Sequence, residues 1–139
     1  MRLKHLAAQA PAFLWALIIL LLTGLPGNYF PEIKSFWDWL SPDKVVHLAM
    51  FGIFTFLLFF GNRAYFLKGN QRSLSVLFIG TGIAFGGLTE LLQALVFVGR
   101  DGNYYDFFAN TAGTIAGTLL FQLLLTKKLK KRNSGLNNY

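Results

Sequence analysis

Eight polar side chains in this 139-residue chain have types and spacings suited to chemistry. Asp43 and His47 lie four residues apart, Glu90 and Gln93 three, and Asp106 and Asn110 four, so on helices each pair shares one face. His47, oriented by Asp43 or Asp106, is a candidate general base, and Glu90 a candidate acid or base. His47, Glu90, Asp43 and Asp106 are therefore the candidate catalytic residues. Lys44, Gln93, Arg100 and Asn110 are the candidate ligand-binding residues, two supplying positive charge and two supplying hydrogen bonds. Each also has a plainer reading. His47 could tie helices together through Glu90 or Asp43, Lys44 could snorkel towards head groups, and Asp43 and Asp106 could favour helix N-termini.

The elements that must position these groups follow from composition. Hydrophobic residues make up 54% of the chain and charged residues only 14%, where a soluble domain has roughly 25%. A hydrocarbon core of about 30 Å needs roughly 20 helical residues to cross it. Four stretches of that length are nearly free of fixed charge, and the spans are expected at about 10–27, 44–62, 74–98 and 106–126. The fold class is therefore an all-α membrane protein, a four-transmembrane-helix bundle forming one domain over 1–139. The runs lack the period-2 alternation of barrel strands. No clear small-residue cleavage site follows the first run, which argues against a signal peptide. With no cysteine, disulfides and thiolate metal sites are excluded.

Placement of charge sets the expected orientation. Ten of the thirteen basic residues lie before the first span, between the second and third, or after the fourth, and those segments hold no acid. The positive-inside rule then puts both termini on the cytoplasmic side of the membrane. The basic tail at 127–139 reads as an orientation anchor, with a frayed end from Asn133, rather than a nucleic-acid site. The aromatic-rich loop at 26–43 and the short GRDGNYYD loop (99–106) face outward, and all six acids fall outside or in the outer half. Glycines and alanines of the third and fourth spans, including Gly82, Gly86, Gly113 and Gly117, read as close-packing positions.

The run DKVVHLAMF (43–51), the ELLQ at 90–93 and the RDGNYYDFFANTAGTIAG segment (100–117) together resemble the VanZ-like family of bacterial membrane proteins. The family pattern maps onto Asp43, Lys44, His47, Glu90, Gln93, Arg100, Asp106 and Asn110. Where the family often has serine between its Arg and Asp, this chain has Asn103, which keeps hydrogen bonding and argues against a hydroxyl nucleophile. The resemblance implies a multi-pass envelope protein related to one associated with low-level teicoplanin resistance. It implies no particular reaction.

Four functions compete on these residues. The first is an outward-facing pocket that binds an envelope lipid head group or a lipid-linked cell-wall component. The second is an enzyme modifying such a component, with His47 and Glu90 as acid and base. One imidazole and scattered carboxylates, even His47 with Glu90 and Asp106, do not call for a metal, and no cofactor is implied. The third is a transporter, against which the absence of an inverted repeat counts. The fourth is a structural role. No nucleic-acid partner is expected, and a homo-oligomer is left open.

Overall fold

The computed structural model describes residues 2–25, 42–98 and 102–136. The aromatic-rich connector, Arg100 and Asp101 therefore lie outside the described residues, as does the chain beyond Leu136. Among the described residues there are five helices: α1 (Arg2–Gly24), α2 (Pro42–Gly61), α3 (Arg63–Leu67), α4 (Gln71–Leu95) and α5 (Tyr104–Leu136). There is no strand among the described residues.

Four of these helices are long and apolar enough to cross a membrane, over Ala7–Gly24, Pro42–Gly61, Gln71–Leu95 and Tyr104–Leu129. Four such helices are what the sequence led one to expect. Their outward surfaces agree with a lipid setting, since Leu17, Val76, Leu91, Leu95, Phe108 and Leu123 are exposed. In water such a continuous apolar surface would drive aggregation, whereas against acyl chains it costs nothing. Two departures from the sequence reading concern the connections. The segment between the second and third spans is not wholly a loop, because 63–67 form a helical turn and a half before Gly69, at φ +99°, reverses the chain. The tail after Thr126 is helical as far as Leu136, carried by Lys and Leu, which are good helix formers.

Without a hydrophobic drive between helices in lipid, association rests on close packing and hydrogen bonds. α2 and α5 make the most intimate pair. A Cβ on Gly113 would collide with the carbonyl oxygen of Leu48, and one on Gly117 with that of Gly52. Glycine at both places lets the two backbones touch. α1 joins through Trp15, whose indole N–H donates to the Met50 carbonyl at 2.9 Å, and through Gln93 of α4, whose amide donates to the Thr23 carbonyl at 3.2 Å.

The interior divides by depth. At one end the C-terminal turns of α1 and α4 meet the N-terminal turns of α2 and α5, and the buried residues there are His47, Glu90, Gln93, Asp106 and Asn110. At the other end Phe59, Phe66, Phe78 and Phe121 interlock with Leu74. Phe59 meets Phe78 edge-on with ring centroids 5.0 Å apart and stacks on Phe121 at 5.1 Å. Phe66 of α3 closes this end, edge-on to both Phe59 and Phe121.

Candidate functional site

The polar end is organised around Asn110, a residue with no exposed surface. Its amide nitrogen donates to Glu90 Oε1 at 3.1 Å, and its carbonyl oxygen lies 2.9 Å from His47 Nδ1. Since that oxygen can only accept, His47 carries its proton on Nδ1. The second Glu90 oxygen accepts the backbone N–H of Asn103 at 3.1 Å. His47, Asn110 and Glu90 thus form one buried chain of hydrogen bonds joining α2, α5 and α4.

Each contact depends on a local feature of the sequence. Gly86, one turn before Glu90, has no side chain to meet Asn110, where a Cβ would come within 2.9 Å of the Asn110 Cβ. Gly102 plays the same part at the loop, since a Cβ there would approach the Glu90 carbonyl oxygen to 2.7 Å and the Ala94 Cβ to 2.9 Å. Only so close a loop brings the Asn103 N–H onto the carboxylate. Asn103 also opens α5, its side-chain oxygen accepting the Tyr105 N–H at 3.0 Å.

Each ring nitrogen of His47 lies near a carboxylate. Asp43 Oδ1 lies 3.9 Å from Nε2, and Glu90 Oε1 lies 3.7 Å from Nδ1. Asp43, His47 and Asp106 each place one ligand-type atom within 4.8 Å of the other two. Asp106 is buried and its Oδ1 has no hydrogen-bond partner. Asp43, by contrast, is 54% exposed in its side chain, at the first turn of α2. Lys44 lies with its ammonium 5.7 Å from the centre of the Tyr105 ring.

Beside this chain a cavity of about 430 Å³ opens between α4 and the start of α5. Leu91, Ala94 and Phe107 provide apolar wall, and Glu90, Asn103 and Tyr104 provide the polar part.

Of the eight residues singled out by spacing, six converge here: Asp43, Lys44, His47, Glu90, Asp106 and Asn110. Gln93 is buried at the same end but is spent on Thr23, where it ties α4 to α1. Arg100 lies outside the described residues. Among the described residues Glu90 is hydrogen-bonded by Asn110 and the Asn103 backbone, with His47 Nδ1 3.7 Å from its Oε1. Asn103 N–H and the Thr23 carbonyl were not foreseen, because backbone groups leave no mark in residue type.

The VanZ/LLP1 family model matches residues 10–125, which takes in the greater part of each long apolar helix and every residue of this site. No curated protein and no solved structure matches the chain. With most of its length covered by that model, the chain belongs to the VanZ/LLP1 family.

Proposed function

We propose that this protein binds the polar head group of an envelope lipid, or of a lipid-linked cell-wall component, at the polar end of its bundle. The observation that carries the reading is the cavity beside Glu90. Its wall is apolar along Leu91, Ala94 and Phe107 and polar at Glu90, Asn103 and Tyr104, the division an amphiphile requires. Exposed apolar residues flank it, so a lipid can enter sideways from the bilayer. Glu90, held by Asn110 and Asn103, is fixed in place and oriented towards a ligand rather than free to collapse.

In the membrane both termini are cytoplasmic and the site opens to the outer leaflet. Supporting this, Arg63, Lys68, Arg72, Lys127 and Lys128 gather at the aromatic end, opposite the carboxylates. That placement suits an envelope component exposed on the outer surface, and a change in teicoplanin susceptibility is its expected phenotype.

Mass spectrometry of lipids co-purifying with the protein tests the proposal. One lipid class should be enriched over bulk membrane with the wild type and lost with Glu90→Gln. The same lipids in the same ratio from both proteins would refute it.

One observation favours a second reading, acid–base catalysis on the same component: Asp43 and Asp106 group with His47, Asp43 Oδ1 lying 3.9 Å from its Nε2. It requires a chemically altered envelope species that appears in cells with the wild type and disappears with His47→Ala at equal expression.

A further inference from the structure

We infer that Asp43, His47 and Asp106 form a binding site for a divalent transition-metal cation of the Zn²⁺ or Mn²⁺ kind. The argument begins at Asn110. Because its amide nitrogen donates to Glu90, its oxygen faces His47 Nδ1, and the imidazole proton is held there. In the neutral ring, the form that binds a metal, the lone pair is then on Nε2. Asp43 Oδ1 lies 3.9 Å from Nε2, and Asp106 brings a carboxylate oxygen within 4.8 Å of a His47 ring nitrogen and of an Asp43 oxygen; ionised carboxylates are acceptors only. Three ligand-type atoms from two helices thus converge, with Lys44 acting electrostatically on Asp106 from beside them.

A second observation comes from Asp106 itself. It is 6% exposed, it extends into the cluster, and its Oδ1 has no hydrogen-bond partner. Burying a carboxylate oxygen unsatisfied is costly, and coordination of a cation satisfies it. The His47 Nε2 to Asp43 Oδ1 distance of 3.9 Å is too long for a direct hydrogen bond. It is close to the separation of about 3.4 Å between two ligands on a tetrahedral ion with bonds of about 2.1 Å. The wider limit of 4.8 Å among the three atoms calls for a modest closure, which Asp43 can supply. Exposed and at the first turn of α2, it is free to swing and is also the point of entry for the ion.

The surroundings have the form of a metal site. A ligating histidine commonly donates its other N–H to a fixed acceptor, and here Asn110, anchored in turn by Glu90, performs that task. One imidazole with two carboxylates favours Zn²⁺ or Mn²⁺ over Ca²⁺ or Mg²⁺, which prefer oxygen alone. Three protein ligands leave a position open for an oxygen of a ligand.

The test uses full-length protein in detergent, purified on a tag without histidine, stripped with chelator and dialysed against Zn²⁺ or Mn²⁺ with no lipid added, so that it is independent of head-group binding. One ion per chain is expected with the wild type. Asp43→Asn, an exposed change that leaves the buried chain intact, should weaken binding about tenfold or more, as should Asp106→Asn. With Mn²⁺ bound, electron paramagnetic resonance should show coupling to one imidazole nitrogen, absent in His47→Gln. Failure of the wild type to bind a stoichiometric ion would overturn the inference. So would undiminished binding by Asp43→Asn, or a bound Mn²⁺ without nitrogen coupling.

Discussion

The two ends of the bundle are held by opposite means. At one, His47, Asn110 and Glu90 link three helices by directed hydrogen bonds in a water-poor interior. At the other, Phe59, Phe66, Phe78 and Phe121 interlock by shape, with ring centroids 5.0 to 5.7 Å apart. In lipid the aromatic end gains little from removing apolar surface, because acyl chains are as apolar as Phe; its contribution is dispersion and fit. The polar end is different in kind. Each of its members is costly to bury alone, so the arrangement persists only when complete. An aromatic core would have served both ends if stability were the sole requirement. The carboxylates and imidazole at one of them are what the proposed site rests on.

Substitutions can break this comparison at four levels. The largest effect is expected between the ends, where α2 meets α5: Gly117→Leu drives a side chain into the Gly52 carbonyl and should abolish the folded state, read as loss of the monodisperse detergent-solubilised species. Asn110→Leu comes next. It leaves both Glu90 and His47 without their partner and should cost about 3 kcal/mol in denaturant unfolding, together with lipid binding. At the aromatic end Phe59→Ala should cost about 2 kcal/mol, mostly the cavity left behind, with lipid binding retained. The smallest is Gln93→Leu, which removes only the bond to Thr23 and should cost about 0.6 kcal/mol. If Phe59→Ala destroyed binding as thoroughly as Asn110→Leu, the division into scaffold and site would fail.

Much of this was legible from residue order. The number of long apolar helices follows from the length of chain that a bilayer demands, and four are present among the described residues. The pairing of Asp43 with His47, and of Asp106 with Asn110, follows from helical periodicity, and the fold does bring these residues together. Three features were not legible. Gln93 has the same type and spacing as a site residue, yet its partner is a carbonyl on α1 that only the packing reveals. Asn103 reaches Glu90 through its backbone, which depends on Gly102 lying against α4. The grouping of Asp43, rather than Glu90, with His47 and Asp106 depends on how closely α2 approaches α5, and glycines at 113 and 117 fix that distance. Spacing along one helix is written in sequence; the distance between two helices is not.

The claim that the polar end is a lipid site is tested most directly by filling its cavity. Leu91 is exposed, lines the cavity and makes no hydrogen bond to the buried chain, so Leu91→Trp occupies the space while leaving His47, Asn110 and Glu90 in place. Native mass spectrometry of the purified variant should show lipid occupancy reduced at least about tenfold with an unfolding midpoint equal to that of the wild type. Full occupancy in Leu91→Trp would contradict the account and assign the polar chain to holding the helices together.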